Sequence, residues 1–236
     1  MASLVMVGTA SAATRTVCSG GCDYSNIQDA INASSSGDTI TISAGTYSEH
    51  GLQTLGKNVT IEGTLNSDGS LATTIDGEGA GSVFDLRVSG GGARPVFKNL
   101  VITGGSADYG GGIYCKDATV RVIGCEIDGN TSIKGGGGIY CGKDGSVLIR
   151  DCTVSNNSAT DSSNAHGGGV WCDQLGVTTI ALCTVQGNTA YSGGGVSCNG
   201  SVSISSCDIS SNVATGGGGG ISVGSAYIVI VYDCDI

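Results

Sequence analysis

The sequence predicts an all-β protein, a right-handed parallel β-helix in the form of a three-sheet solenoid with a short N-terminal capping helix. Three observations lead there. The first is composition: 43 of the 236 residues are glycine and one is proline, with no G-X-Y period, which excludes collagen. The second is a repeat. Gly110-Gly111-Gly112-Ile113-Tyr114-Cys115 returns as Gly136-Gly137-Gly138-Ile139-Tyr140-Cys141, Gly167-Gly168-Gly169-Val170-Trp171-Cys172 and Gly193-Gly194-Gly195-Val196-Ser197-Cys198. A fifth copy, Gly218-Gly219-Gly220-Ile221-Ser222-Val223, carries valine where the others carry cysteine. The third is alternation: Val120-x-Val122, Val147-x-Ile149, Val202-x-Ile204 and Ile228-x-Ile230 repeat apolar residues with period two, the mark of strands with one buried face.

Each element follows in chain order. Residues 1–12 read as a signal peptide cut short at its start: Leu4 to Val7 are apolar, Ala10-Ser11-Ala12 resembles a cleavage site, and the first basic residue is Arg15. The alternative is a frayed apolar N-terminus. If the chain is exported, its 11 cysteines meet an oxidising compartment. Cys18 and Cys22 are spaced to close a short disulfide. Ser25-x-x-Gln28 forms a capping box, and Ile27, Ala30 and Ile31 give the following helix one apolar face, suited to covering the open end of a core. Ile40-x-Ile42 and Val59-x-Ile61 make the first strands.

From Gly110 the glycine blocks start 26, 31, 26 and 25 residues apart, the longest interval holding a polar insert, Thr160 to Ala165. A second block follows each of the first four: Cys125-x-Ile127-x-x-Asn130, Cys152-x-Val154-x-x-Asn157, Cys183-x-Val185-x-x-Asn188 and Cys207-x-Ile209-x-x-Asn212. Each repeat thus supplies three short strands. One unit cannot bury its apolar face alone, whereas stacked copies make a continuous core with like residues about 4.7–4.9 Å apart. Cysteine exchanges with Val223 in one column and Leu100 in the other, so both columns face inward and Tyr114, Tyr140 and Trp171 point out. Asn130, Asn157, Asn188 and Asn212 fall at a turn, where stacked amides can bond from coil to coil and tolerate left-handed backbone angles. The chain stops at Ile236, three residues short of the next turn asparagine, so residues 13–236 are expected to form one β-helix domain that is incomplete at its C-terminus.

Two resemblances follow from these residues. Ile27-Gln28-Asp29-Ala30-Ile31, Gly37-Asp38-Thr39-Ile40 and Gly45-Thr46-Tyr47-Ser48-Glu49 resemble the opening coils of pectin-lyase-like β-helix proteins, pectinesterases among them, over the first quarter of the chain. The blocks from Gly110 onward are similar to the repeats of the polymorphic outer-membrane protein family, G-G-A-I followed by F-x-x-N. Here Gly110-Gly111-Gly112-Ile113 and Ile127-Asp128-Gly129-Asn130 match, with an aliphatic residue in place of phenylalanine. The resemblances imply a β-helix and a secreted, cell-surface or outer-membrane placement, and little about chemistry.

Charge narrows the partners. Ten basic against 20 acidic residues give a net charge of −10, which repels phosphate backbones, so no nucleic acid is expected. No apolar run reaches the 18 residues of a membrane helix. Pectinesterase motifs beyond the opening coils are missing, and His166 before Gly167-Gly168-Gly169 reads as a loop histidine beside a repeat turn, without the nucleophile elbow of an esterase. No cofactor is expected. Asp117, Asp144 and Asp173 each follow a first-column cysteine and could hold calcium at one edge of the solenoid, or stand as solvated turn residues. Glu126, Asp208 and Asp235 share an outward column that Thr153 and Thr184 interrupt, and Arg121 and Arg150 lie outward on neighbouring coils, where they could meet an acidic sugar or serve as solubilising strand residues. The most suggestive exposed feature is Tyr114, Tyr140 and Trp171, a strip for sugar rings or a partner protein, or a ladder that stabilises the sheet. Column cysteines could pair within a coil, pair between coils or remain buried thiols. The expected function is that of a monomeric structural or adhesive surface protein that binds carbohydrate or a surface protein and has no recognisable catalytic site. The alternative is a polysaccharide lyase or glycoside hydrolase.

Overall fold

The computed structural model describes residues 11–87, 92–225 and 228–236, so the signal-peptide reading of the first residues falls largely outside the described part. Among the described residues the strands build sheets of nine, seven, six and five members, every adjacent pair parallel. One coil shows the path. Ile113–Lys116 runs in the six-stranded sheet, Thr119–Ile123 in the nine-stranded sheet and Glu126–Asp128 in the seven-stranded sheet. Thr131–Gly135 then forms a strand of the five-stranded sheet before the next glycine block. This fourth strand exceeds the three predicted. It forms because the residues after each turn asparagine meet their equivalents one coil on, Thr131 opposite Ser158 and Ser158 opposite Thr189.

Register places like beside like. In the nine-stranded sheet Ile61, Phe97, Val122, Ile149, Ile180 and Ile204 are successive partners, all fully buried. In the seven-stranded sheet Ile75, Ile102, Ile127, Val154, Val185 and Ile209 do the same. Each such side chain contributes about 1.5–3 kcal/mol by leaving water. Phe84 and Phe97 stack across the interior with ring centroids 4.1 Å apart. In the last coil the predicted alternation is displaced by one residue. Val229 and Val231 pair with Val202 and Ile204, so Ile228 and Ile230 face solvent, because a single slip in a strand exchanges its two faces.

The helix α1 (Ile27–Ala33) buries Ile27, Ala30 and Ile31, but its cap is Asn26 rather than Ser25. Asn26 Oδ1 accepts the Asp29 amide at 2.8 Å and its Nδ2 donates to the Asp29 carboxylate at 2.7 Å, so the cap sits one residue later than predicted and a side-chain pair replaces the reciprocal box. The displaced Gln28 binds Asn32 and Gln53 instead. Glu49 accepts the amides of Ile27 and Gln28, tying the helix to the first coils.

The glycine block closes each coil. Gly136 takes φ +62°, and a Cβ on Gly137 would lie 2.5 Å from the Gly168 carbonyl oxygen of the next coil, so backbone stacks on backbone there. Among the described residues no helix is long and apolar enough to cross a membrane, which leaves strand-built spans untouched.

Candidate functional site

The six-stranded sheet presents Asp85, Tyr114, Tyr140, Trp171, Ser197 and Ser222 outward as one column of register partners. A second column faces it from the five-stranded sheet, made by the residue before each glycine block: Tyr109, Gly135, His166 and Ser192. The outward groups of two sheets touch only if the sheets meet in a concave corner, and these do. Ser192 and Ser222 hydroxyls lie 2.7 Å apart across it, and His166 lies against Trp171 with ring centroids at 5.1 Å. Gly135 leaves the gap that the indole fills: a Cβ there would stand 2.4 Å from Trp171 Cε3. Tyr109 leans across the same gap, 4.9 Å from the Tyr140 ring and 5.8 Å from Trp171.

This corner corrects the expectation of an exposed aromatic strip. Tyr140 is 7 % and Trp171 8 % exposed, and only Tyr114 remains half-buried. The fourth strand, absent from the sequence reading, supplies the wall that covers them. Tyr109 was the missed residue; its place immediately before a glycine block, equivalent to His166 and Ser192, was the available signal.

Electrostatics divide the corner in two. In the covered half, Tyr140 donates its hydroxyl to Asp173 at 2.8 Å, and burial first, then that bond, pushes its pKa far up. Burial also lowers the His166 pKa, partly offset by Asp173, and so favours the neutral imidazole. Trp171 Nε1 and His166 Nδ1 are buried without hydrogen-bond partners. In the open half, Tyr109 and Tyr114 stand edge to face with centroids 6.4 Å apart. They border a depression of about 230 Å3 that Ser82, Arg87, Ala107 and Asp108 complete. The Arg87 guanidinium lies 5.2 Å over the Tyr114 ring and is held by Asp85, which raises its pKa. Lys134 sits 5.1 Å over Tyr109 and 3.2 Å from Asp108. Two aromatic surfaces, each carrying a cation already paired with a carboxylate, thus open on one hollow.

Other sequence-derived candidates are dispersed. Asp117 and Asp144 occupy turns at φ 59° and 56°, whereas Asp173 is engaged by Tyr140. Among the described residues no three His, Cys, Asp or Glu side chains are placed to hold a metal ion. Arg121 pairs with Leu148 and Arg150 with Ile123, so the two arginines are offset rather than stacked, and Arg150 turns to Asp151 at 3.2 Å. The outward column of Glu126, Thr153, Thr184 and Asp208 is in register.

Asn130, Asn157, Asn188 and Asn212 form a hydrogen-bonded ladder. Asn130 Nδ2 and backbone N both donate to Asn157 Oδ1 at 3.0 Å, and Asn157 and Asn188 repeat the pattern toward the next amide. The left-handed angles fall one residue earlier, at Gly129, Asn156, Gly187 and Ser211, not on the ladder asparagines as expected. Cys18 and Cys22 are disulfide-bonded, and nine cysteines are free, eight of them buried. The within-coil pairing weighed from the sequence is therefore not adopted.

Residues 124–142 match the Chlamydia polymorphic membrane protein (Chlamydia_PMP) repeat. No curated protein matches the chain in sequence. Two crystal structures of the pectin methylesterase from Aspergillus niger are similar in fold. The penultimately deglycosylated form is 19 % identical with a TM-score of 0.60, over 96 % of this chain and 77 % of that one. The deglycosylated form is 15 % identical with a TM-score of 0.53, over 96 % and 86 %. At such identity the likeness shows a shared parallel β-helix fold and does not carry activity with it.

Proposed function

We propose that this protein is a surface-exposed β-helix that binds carbohydrate at the Tyr109–Tyr114 hollow and acts in adhesion rather than catalysis. The observation that carries the reading is the open half of the corner. Sugars present an apolar ring face edged by hydroxyls, and they are recognised by an aromatic surface with charged hydrogen-bonding groups beside it. Tyr109 and Tyr114 offer the surfaces, with Arg87–Asp85 and Lys134–Asp108 beside them as donors and acceptors. Both cations are already engaged with carboxylates, which suits hydroxyl recognition better than attraction of a strongly charged chain. The match to a membrane-protein repeat supports a surface position, and the rigid solenoid suits display of such a site.

Binding to immobilised polysaccharides tests this. The wild-type chain is expected to bind at least one, and Tyr114→Ala to weaken that binding about tenfold or more, since stacking and cation–π contributions together reach about 1–2 kcal/mol. Release of reducing or unsaturated ends from the same panel is expected to stay at background. Binding unaffected by Tyr114→Ala and Tyr109→Ala would place the site elsewhere, and product release would favour the lyase or hydrolase alternative.

A further inference from the structure

We propose that the carbohydrate site continues past Arg87 into a second hollow, so that its ligand is an extended, uncharged oligosaccharide rather than a single sugar. The inference rests on the reading of the Tyr109–Tyr114 hollow as a sugar site and adds a neighbour to it. The second hollow has a volume of about 260 Å3, and Gln53, Thr54, Leu55, Asp85 and Arg87 contribute to its lining. Arg87 also lines the Tyr109–Tyr114 hollow, so the two share a wall. Register explains the adjacency. Leu52 is the bridge partner of Phe84 and accepts the Asp85 amide, so Gln53 takes the place before Asp85 in the outward column that continues to Tyr114. Successive members of a column stand about 4.7–4.9 Å apart, which puts Gln53 about 10 Å from Tyr114 along the solenoid. A chain of about three linked pyranose rings covers that span, from Tyr114 over the Asp85–Arg87 pair to Gln53.

The second hollow carries the groups that a sugar ring uses. Leu55 is 53 % exposed and offers an apolar face, with polar groups close beside it. Gln28 holds the Gln53 backbone by both its N–H and its carbonyl. Among the described residues the Gln53 side-chain amide makes no hydrogen bond, which leaves it to meet ligand hydroxyls as donor and acceptor. Thr54 is the second, independent observation: it is 1 % exposed and its Oγ1 has no hydrogen-bond partner. A buried hydroxyl left unpaired costs stability, and a ligand hydroxyl seated in the hollow offsets that cost.

Charge and shape select the ligand. Asp85 pairs with Arg87 and Asp108 with Lys134, so the charges along the two hollows cancel, while the chain as a whole carries −10 and repels an acidic polysaccharide. In-register stacking makes the column straight, which suits an extended chain of sugars over a coiled one.

Calorimetric titration of the full chain with cellobiose, cellotriose and cellotetraose tests this, with trigalacturonate as the acidic counterpart. Cellotriose is expected to bind about tenfold more tightly than cellobiose, the effect of one or two added hydrogen bonds, and cellotetraose no more tightly than cellotriose. Gln53→Ala is expected to erase the cellotriose advantage and leave cellobiose affinity unchanged. Thr54→Val is expected to reduce the advantage, and Tyr114→Ala to weaken both ligands by the same factor. Gln53 is exposed and valine keeps the shape of threonine, so both variants fold, and circular dichroism checks it. Equal affinity for cellobiose and cellotriose, an advantage left whole by Gln53→Ala or by Thr54→Val, or tighter binding of trigalacturonate than of cellotriose overturns the proposal and leaves the Tyr109–Tyr114 site standing. Binding of no oligosaccharide, or binding indifferent to Tyr114→Ala, overturns the sugar reading of both hollows.

Discussion

Asn157→Ala tests the physical basis of the stack. The Asn157 side chain is buried and makes four hydrogen bonds across three coils. Its Nδ2 donates to Ile127 O at 2.8 Å and to Asn188 Oδ1 at 3.0 Å. Its Oδ1 accepts the backbone N and the Nδ2 of Asn130, both at 3.0 Å. Alanine removes all four and leaves the Asn130 amide and the Ile127 carbonyl without their side-chain partner in a dry interior. At about 1–3 kcal/mol for each group so stranded, the expected loss is about 2–6 kcal/mol. Because a solenoid is stabilised by nearest-neighbour contacts, the damage should centre on the adjoining coils. Urea unfolding measures the loss, and amide hydrogen exchange locates it: the Asn130 N–H should exchange faster while the core of α1 keeps its protection. Asn157→Asp preserves the acceptor, so it should destabilise yet leave the Asn130 amide protected. A loss below about 1 kcal/mol with a slow Asn130 amide in the alanine variant would refute the ladder argument.

Four further outcomes are expected. Gly137→Ala drives a Cβ to 2.5 Å from the Gly168 oxygen and 2.6 Å from that of Ser158, and should cost at least about 1–3 kcal/mol in urea unfolding. Phe97→Ala removes the partner of Phe84 in the core and should cost about 3–5 kcal/mol by the same measurement. Asp38 is held below its ordinary value first by the Ser35 amide, then by the Ala13 amide and Arg15. Its stabilisation is therefore complete above the unfolded carboxylate value and lost as pH falls through the lower folded one. Stability of the wild type should decline on acidification below about pH 4, and Asp38→Asn should flatten that decline. Alkylation at pH 8 should reach the half-buried Cys234 first, since burial leads the rise of the Cys115 and Cys198 thiols to about 12; nine thiols should react once the chain is unfolded, and fewer would reveal bridges between coils.

The architecture was legible because its cause is local and repeated. A glycine block, an alternating strand and a turn asparagine recur at similar spacing, and in-register stacking turns each recurrence into a column. The cysteine columns, the asparagine ladder and the outward aromatic column could be read this way. What escaped depended on features the repeat does not mark strongly. The fourth strand has little apolar alternation, Thr131-Ser132-Ile133-Lys134-Gly135 in one coil and Thr189-Ala190-Tyr191-Ser192 in another, and it is set by pairing with its neighbours rather than by its own pattern. Ile228-x-Ile230 offered the right period with the wrong phase, which only the partner strand decides. The cap moved from Ser25 to Asn26 because two adjacent residues can each cap, and the helix chose the one with Asp29 within reach.

One missed strand changes the functional argument more than these local slips. With three sheets, Tyr114, Tyr140 and Trp171 would line a convex outer face, three equivalent platforms open to any long ligand. The fourth sheet folds that face into a corner and makes the column unequal. Trp171 and Tyr140 become packing, roofed by Tyr109 and His166 through the space that Gly135 leaves, while Tyr114 keeps an accessible side next to Arg87. A strip would bind by repetition and lose affinity gradually as rings are removed. A corner binds at one end, so Tyr114→Ala should weaken recognition about tenfold or more whereas Trp171→Phe should leave it intact and cost stability instead. Gly135 connects the two outcomes: any side chain there expels the indole from its seat, which would expose the aromatic column and return the surface to the strip that the sequence alone suggested.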